Sequence, residues 1–269
     1  MRIVALLTVR NEELYLETCL NHLILQGIEV CLIDNDSSDS TLKIAKQYLG
    51  KGVCRIERLP FTGAFELAAQ CRQQEALAQD IDADWFIHHD ADEIRQSLFE
   101  NMSLHDGIKR VDNEGYNAIN FAEMVFIPPH AGAAENQNYL EAFKHYYFFK
   151  AGELRRVNAW KKQSGKVDLV SFGGHRVAFD GIRVFPTDFI LRHYIFLSRM
   201  HGEQKYKNRA YSELETKSIG WHNQRAGWAD KELHLPHIER LKVLLTNGVF
   251  DVSQPEATHL FEFKDRNHG

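Results

Sequence analysis

Residues 84–93 read Asp84-Trp85-Phe86-Ile87-His88-His89-Asp90-Ala91-Asp92-Glu93, an apolar run followed by two aspartates one residue apart. The run from 85 to 89 is typical of a short buried strand. Ligands bind at the carboxyl ends of the strands in open α/β sheets, and carboxylate oxygens are ligands that Mg²⁺ and Mn²⁺ prefer. Asp90 and Asp92 are therefore expected to hold a divalent cation carried by a phosphate-containing substrate.

Strands and helices alternate through the first ninety residues of the chain. Short apolar runs predict strands at 3–7, 29–33, 53–59 and 85–89. Apolar residues at helical spacing predict a helix after each of the first three strands; Asn11 is suited to cap the first, and the third is predicted at 64–79. This order predicts an α/β fold with a mostly parallel, Rossmann-like sheet flanked by helices. The loops around Thr8, Asp34 and Asp90 would then open on one edge of the sheet.

The pattern changes after Glu93. Further strands are predicted at 116–127 and 142–150, loops at 130–141 and 155–174, and a helix that starts at Pro236 and stops before Asn247. These elements would form a mixed α+β C-terminal extension of the sheet. No repeat, low-complexity segment or linker divides the chain. A single domain over 1–269 is predicted, with halves at 1–95 and 96–269.

The composition argues against several classes of protein. The chain has 269 residues, of which 44% are hydrophobic and 26% charged, so it is long enough to bury a substantial core. Its net charge is −5 and its acidic and basic residues are interleaved, which is unlike the basic face of a nucleic-acid-binding protein. A duplex DNA or RNA partner is therefore not expected.

The N-terminal apolar run and the cysteines bear on the compartment. Arg10 and the residues after it cut the run off well short of the roughly 20 residues of a membrane span, so it is interpreted as a first strand and not as a signal peptide. Four cysteines are present, and none of them forms a C-x-x-C pair. They are expected to be free thiols, mostly buried, in a reducing cytoplasm.

Three motifs in this order resemble a family 2 glycosyltransferase of the GT-A fold: Thr8-Val9-Arg10-Asn11-Glu12, then 32–41 with its Asp34-Asn35-Asp36 core, then Asp90-Ala91-Asp92. The resemblance covers the first 95 residues. It implies a nucleotide-diphosphate sugar donor, with a UDP-sugar favoured, and Mn²⁺ or Mg²⁺ on the diphosphate. It also implies inversion at the anomeric carbon and an acceptor half that binds a glycan or another hydroxyl acceptor. Cell-surface polysaccharide synthesis, with or without peripheral membrane association, is the process it suggests.

The resemblance also implies roles for residues that contact the nucleotide. Thr8 matches the position that meets the nucleoside, and Asn11 and Glu12 open the following helix. Asp34 matches the carboxylate that accepts a hydrogen bond from the base, and Arg72 lies where a basic residue often approaches the diphosphate. Each has a structural alternative: Asn11 as a helix cap, Asp34 as a turn residue, and Arg72 as a surface partner of Glu66 or Glu75.

The remaining roles concern the cation and the chemistry. The resemblance implies that Asp92 binds the cation directly and is a catalytic residue, while Asp90 contacts the ribose or reaches the cation through water. A late histidine often completes the cation's ligands, and His193 is the candidate. Inversion also needs a general base for the acceptor hydroxyl. His175 is the candidate for this catalytic role, with Glu123 and Asp180 as the open alternatives.

Three other functions compete with this interpretation. A nucleotidyltransferase on a similar sheet should have a glycine-rich basic loop after the first strand, and 8–13 contains no glycine. A phosphatase that uses Asp-x-Asp as its nucleophile pair would carry it after the first strand, not the fourth. The third alternative is a catalytically silent module that binds a nucleotide sugar.

Overall fold

The structure is a computed structural model that describes residues 1–129, 138–219, 221–245 and 248–265. Its contacts divide the chain into two units that interleave along the sequence. The first unit comprises Met1–Thr62, Leu67–Ala122 and Leu154–Leu191, and the second comprises the remaining segments: Gly63–Glu66, Glu123–Glu153 and the chain from Arg192 onward. The single domain with halves at residue 95 stays a prediction.

The first unit alternates strands with helices as predicted. Its strands are β1 (Ile3–Val9), β2 (Glu29–Asp34), β3 (Val53–Arg58), β4 (Trp85–His89), β5 (Glu93–Gln96), β6 (Ala118–Ile127, which runs on into the second unit) and β8 (Val157–Lys161). Its helices are α1 (Glu13–Leu25), α2 (Thr41–Gln47), α3 (Leu67–Asp80) and α4 (Leu104–Asn113). The apolar positions of α1 at helical spacing are buried, which is why this segment forms a helix against the sheet.

The central strands of the first unit lie in the order β3-β2-β1-β4, and every neighbouring pair is parallel. Strand β8 pairs antiparallel with β4, and the start of β6 pairs antiparallel with β8. The predicted α/β class, with a parallel sheet flanked by helices, is confirmed, and antiparallel strands extend it on one side. The chain steps from β1 to β3 in one direction and then crosses back to place β4 on the other side of β1. Ligands bind at such a reversal of strand order in open α/β sheets.

Strand β8 corrects the prediction that 155–174 is a loop. Phe86 of β4 pairs with Trp160 of β8, and the two rings pack with centroids 6.0 Å apart in the core. The polar residue Asn158 interrupts the apolar pattern by which this strand could have been recognised in the sequence. Asn158 is fully buried, and its side-chain amide donates to the backbone oxygen of Gly174 at 2.9 Å. All four cysteines belong to this unit and are free: Cys54 is exposed, and the other three are buried as expected.

The second unit has shorter elements. Its strands are the ends of β6 and of β9 (Phe189–His193), β7 (His145–Phe149), β10 (Lys231–His234), β11 (Lys242–Val243) and β12 (Glu262–Asp265). Its helices are α5 (Tyr139–Ala142), α6 (Arg199–Lys207) and α7 (Asn223–Ala226). β6 pairs antiparallel with β7, and β10 pairs antiparallel with β12. An aromatic core holds the unit together, in which Trp228 stacks on Phe263 with centroids 4.4 Å apart.

Three further predictions need correction, two in this unit and one at the start of α3. The helix from Pro236 is wrong: Ile238–Arg240 forms only a 3-10 turn, and Lys242–Val243 pairs with β7. Ile238 is exposed there, so the apolar face that the spacing predicted is not buried. The predicted loop 130–141 contains α5 at its end, while 130–137 lies outside the described residues. The third helix starts at Leu67 and not at 64, because Phe65 donates its N–H to the Ala210 oxygen at 2.7 Å. Across the part of the chain that the structure describes, every helix is too short or too polar to span a bilayer.

Candidate active site

The strand registers place three predicted site residues on one edge of the parallel sheet. Leu7 of β1 pairs with His89 of β4, so Thr8 and Asp90 are the next residues on two adjacent strands. Thr8 also pairs with Ile33 of β2, which Asp34 follows. The expected common edge for Thr8, Asp34 and Asp90 is therefore confirmed, and it lies where the strand order reverses.

Asp90 and Asp92 lie on a tight turn between β4 and β5. Asp92 is buried, with 8% of its surface exposed, and Asp90 is half-buried. Glu93 closes this turn: its backbone N–H donates to the Asp90 oxygen at 3.2 Å, and its Oε2 accepts from the Asp90 N–H at 3.3 Å. The two aspartates are thus fixed to the end of β4 by the residue that begins β5.

Buried charges surround this turn. Arg95 is fully buried and its Nη2 donates to Glu93 Oε2 at 2.5 Å, while Arg156 Nη1 lies 3.7 Å from Glu93 Oε1. Arg95 Nε also donates to His89 Nδ1 at 3.0 Å, which puts the His89 ring proton on Nε2. Burial lowers the pKa of Arg95, and the negative charges of Glu93 and Asp90 oppose that shift. The two aspartates therefore stand directly beside a buried ion pair.

The carboxylates of this turn fit a divalent cation in part. Burial raises the pKa of Cys19 strongly, and the negative charges of Glu93, Asp92 and Asp90 raise it further, so the three carboxylates act together on one buried point. Asp90 and Asp92 also lie within three residues on one tight turn, and their carboxylate oxygens are the donor type that a divalent cation prefers. However, no group of three or more His, Cys, Asp or Glu side chains among the described residues could hold a metal by itself. Mg²⁺ commonly uses one or two carboxylates, with substrate phosphates and water as its other ligands.

Thr8 is held by a glutamine that no sequence signal singles out. Gln74 of α3 is buried, and its Nε2 donates to Thr8 Oγ1 at 2.9 Å and to the Leu6 oxygen at 3.3 Å. Its Oε1 accepts from His88 Nδ1 at 2.5 Å. Burial lowers the pKa of His88 to about 3, so His88 stays neutral and is a satisfied core histidine, as expected for one of the adjacent pair. Because Thr8 Oγ1 accepts from Gln74, its own hydroxyl proton can be donated elsewhere.

The loops after β1 and β2 cap each other, which corrects the expected role of Asn11. Asn11 has a left-handed backbone (φ 55°) and is not the helix cap; Glu12 occupies that position. The N–H of Glu12 donates to Thr41 Oγ1 at 2.8 Å, and that of Glu13 donates to Asp39 Oδ2 at 3.2 Å. In return, Asn11 Oδ1 accepts from the Ser38 N–H at 2.8 Å. Contact of Asn11 and Glu12 with a nucleotide stays a prediction.

Arg10 is the one basic residue of segment 8–13, and it is held within this loop pair. Its Nη1 donates to the Asn35 oxygen at 2.6 Å and to the Asp36 oxygen at 2.5 Å, and its guanidinium lies 3.4 Å from the Phe61 ring centroid. Asp36 in turn pairs with Arg58 at 2.6 Å. The basic phosphate-binding loop of a nucleotidyltransferase is therefore not formed after β1.

Asp34 and Arg72 have contrasting surroundings. Asp34 is buried at the end of β2, and its two carboxylate oxygens each lie 3.3 Å from the Ser37 N–H, which is the turn interaction weighed as its structural alternative. Arg72 is exposed on α3. Glu75, its suggested partner, instead accepts the N–H groups of Leu169 and Val170 at 2.7 and 3.1 Å. A guanidinium on the solvent-facing side of α3 remains compatible with the predicted diphosphate contact.

The general-base candidates differ in how well their surroundings suit a proton acceptor. Arg156 Nη1 donates to His175 Nδ1 at 3.3 Å, so the ring proton of His175 lies on Nε2. The lone pair on Nδ1 therefore faces the positively charged Arg156 guanidinium. This arrangement disfavours His175 as a base. Asp180 lies in an exposed turn. Both belong to the first unit, and the catalytic role of His175 stays a prediction.

The second unit brings His193 and Glu123 together. His193 Nδ1 donates to Glu123 Oε1 at 2.7 Å, and the Glu123 side chain is 1% exposed. A buried carboxylate that holds Nδ1–H fixes the ring so that Nε2 is the basic nitrogen, an arrangement used both by metal ligands and by proton acceptors. The pairing of two candidate residues 70 positions apart could not be read from the sequence. The role of His193 as a cation ligand stays a prediction.

Residues 5–119 match the sequence model of the family described as glycosyl transferase family 2. This match confirms, for residues 5–119, the resemblance seen in the motifs. The matched segment contains the loop after β1, the end of β2 and the Asp90–Asp92 turn. No curated protein matches the chain.

The solved structures that match include TarS of S. aureus, at 12% identity and a TM-score of 0.47, over 85% of this chain and 44% of that one. They also include TarS 1–349 in complex with UDP, at 15% identity and a TM-score of 0.47, and in complex with UDP-GlcNAc, at 12% and 0.46. Each of these two covers 77% of this chain and 63% or 65% of the TarS chain. The chain thus spans 44–65% of the length of these structures.

Replacing Asp34 by alanine is expected to weaken nucleotide binding by about 1–3 kcal/mol, the usual cost of leaving a buried polar group without its partner. Isothermal titration with UDP would measure this loss. Asp39→Ala is the matched control, because Asp39 caps α1 through the Glu13 N–H and should affect stability more than affinity. Unchanged affinity in a folded Asp34→Ala protein would show that Asp34 is only a turn residue.

Proposed function

We propose that this chain is an inverting glycosyltransferase that moves a sugar from a nucleoside-diphosphate sugar to an acceptor hydroxyl with the help of Mn²⁺ or Mg²⁺. The bond between the anomeric carbon and the diphosphate oxygen breaks, and a bond from the acceptor oxygen to that carbon forms on the opposite face. The acceptor proton passes to a base, and the nucleoside diphosphate leaves. A role in cell-surface polysaccharide synthesis is part of this proposal.

The observation that carries the proposal is the position of Asp90 and Asp92. They follow β4 where the strand order reverses, next to Thr8 on β1, and within the segment that matches family 2. Asp34 lies one strand further along the same edge. Cation ligands, a hydroxyl and a base-recognising carboxylate on one edge suit a ligand with a diphosphate in the middle and a nucleoside at one end.

Asp92 and Asp90 would hold the cation, and the donor's phosphates and water would supply its other ligands. When bound, the cation would neutralise charge that builds up on the departing diphosphate. The chain's own contribution is to keep both carboxylates oriented at the end of β4, through Glu93, and to orient Thr8 through Gln74. The buried position of Asp92 limits its contact with bulk water, which strengthens its attraction for a cation.

Two alternatives make different predictions. A nucleotidyltransferase would release pyrophosphate or join it to a nucleotide, and the engagement of Arg10 within its own loops argues against it. A catalytically silent module would bind nucleotide sugars and release nothing. Both alternatives retain nucleotide binding, so the products and not the binding separate them from a glycosyltransferase.

UDP is expected to raise the melting temperature only when Mn²⁺ or Mg²⁺ is present. A ligand that binds only the native state at about 100 times its Kd stabilises it by about 2.7 kcal/mol, which a thermal-shift assay resolves readily. Mn²⁺ alone and UMP with Mn²⁺ are the controls, since neither supplies both cation and diphosphate. Equal stabilisation by UDP after treatment with EDTA would remove the cation from the proposal.

A further inference from the structure

Glu93 closes the Asp90–Asp92 turn with both its main chain and its side chain. The two hydrogen bonds that it forms with Asp90 run in opposite directions, one through its N–H and one through its Oε2. The side chain of a residue that starts β5 therefore sets where the turn begins. Any movement of the Glu93 carboxylate would move the backbone that carries Asp90 and Asp92.

The Glu93 carboxylate is itself held in place by a buried ion pair. It is 1% exposed and pairs with Arg95, whose side chain is fully buried, at 2.5 Å. Removing one member of a buried ion pair leaves an uncompensated charge, so the two side chains hold each other in place. Arg95 also packs over the face of the Phe121 ring, with its guanidinium carbon 4.6 Å from the centroid.

Arg95 connects the turn to the neighbouring strands. It donates to His89, the last residue of β4, and its two terminal nitrogens lie 3.5 and 3.4 Å from Asn158 Oδ1 on β8. The His22 ring donates from Nε2 to the Arg95 backbone oxygen at 2.8 Å, so helix α1 is tied to the same residue. The ion pair therefore connects β4, β5, β8 and α1 next to the turn that carries the two aspartates.

We propose that Glu93 and Arg95 are positioning residues for the cation site, acting through the Asp90 backbone without touching cation or donor. This inference rests on the proposed function. Arg95 neutralises Glu93, so the negative charge that can attract a cation is concentrated on Asp90 and Asp92. The pair thereby orders the turn before the cation arrives, and the cation does not have to supply the free energy of ordering it.

The test replaces the pair by apolar residues of similar size, Glu93→Leu with Arg95→Met, here called the clamp variant. It removes both members of the 2.5 Å ion pair together, and Arg156 loses only its longer 3.7 Å contact with Glu93. The matched control is Glu29→Leu with Arg2→Met, an ion pair at 2.8 Å in which each side chain is 41% exposed. Free Mn²⁺ measured by electron paramagnetic resonance, with UDP present, gives the Kd for the cation. The clamp variant is expected to raise this Kd about tenfold or more, as loss of outer-shell partners does at metal sites. The control should leave it unchanged.

Hydrogen exchange supplies a second readout that does not depend on activity. In the cation-free wild type, the Asp90 amide should exchange slowly because Glu93 accepts its hydrogen bond, and it should exchange fast in the clamp variant. Fast exchange of this amide in the wild type would overturn the proposal even if the variant failed to fold. An unchanged Kd in the folded variant would do the same. Absence of Mn²⁺ binding in the wild type itself would instead overturn the cation site, and the proposed function with it.

Discussion

Replacing Asp92 by asparagine is expected to abolish sugar transfer and cation-dependent nucleotide binding together. The change keeps the size and shape of the side chain but removes the charge that makes this turn a site for a hard cation. A cation contributes several kcal/mol to the stabilisation of charge on a leaving group, so the rate should fall by roughly 10²–10⁴-fold. Release of nucleoside diphosphate and the UDP-dependent thermal shift would both be measured.

Stability should not suffer in this variant. Asp92 is buried in the same short turn as Asp90, and like charges in a shared site repel one another, so a neutral side chain of the same size relieves that repulsion. Asp82→Asn is the matched control, since Asp82 is an exposed aspartate that precedes β4, whereas Asp92 follows it. Transfer at a near wild-type rate by folded Asp92→Asn under limiting Mn²⁺ would contradict the mechanism.

Replacing Arg95 by methionine is expected to destabilise the fold more than any of the other substitutions. The change leaves the buried Glu93 carboxylate with only the more distant Arg156, 3.7 Å away, and breaking a buried ion pair in this way typically costs about 3–5 kcal/mol. That is a large share of the roughly 5–15 kcal/mol by which native proteins are stable. Urea denaturation would measure the free energy of unfolding of the single variant and of the double variant Glu93→Leu/Arg95→Met.

The double variant should be distinctly more stable than Arg95→Met, because it no longer buries the Glu93 carboxylate in the absence of Arg95. Arg2→Met breaks a half-exposed pair and should cost about 0–1 kcal/mol. If Arg95→Met were no more destabilising than Arg2→Met, the buried ion pair would not stabilise the fold as its geometry implies.

The first half of the fold could be predicted because strands β1, β2 and β4 are buried on both faces and helical segments separate them. Continuous apolar runs such as Trp85–His89 have few other interpretations when helical segments separate them, and the end of β4 agrees with its prediction. Strand β8 was missed because Asn158 interrupts its apolar pattern. That residue is tolerated in the core only through partners on 174–175 and β5, which local sequence does not reveal.

The wrong predictions share a physical cause. Asn11 has good chemistry for a helix cap, but the N–H groups at the start of α1 are satisfied by Thr41 and Asp39 from another loop. The segment after Pro236 has helical spacing, yet a short helix forms only when its apolar face finds a surface to pack on. In both places, contacts distant in sequence outweigh a local preference.

The residues of the candidate site also differ in whether the sequence could predict them. Asp90, Asp92 and Asp34 could be selected because they are acidic residues at the ends of predicted strands. The role of Gln74 and the pairing of His193 with Glu123 could not be predicted, because each depends on a partner more than sixty positions away in the sequence. Arg95 pairs with nearby Glu93, but its contacts with Asn158 and His22 are equally distant in sequence. Glu93 carried a weak signal, since it directly follows Asp90-Ala91-Asp92.

The central claim is that this chain transfers sugar from a nucleoside diphosphate. The most direct test incubates it with Mn²⁺, a panel of nucleotide sugars and a mixture of hydroxyl acceptors, and identifies the nucleotide products by ³¹P nuclear magnetic resonance. At least one donor is expected to yield its nucleoside diphosphate, in wild type but not in Asp92→Asn and not after treatment with EDTA. Pyrophosphate as the product would indicate a nucleotidyltransferase, and binding of a donor without any product would indicate a silent module; either result would contradict the claim.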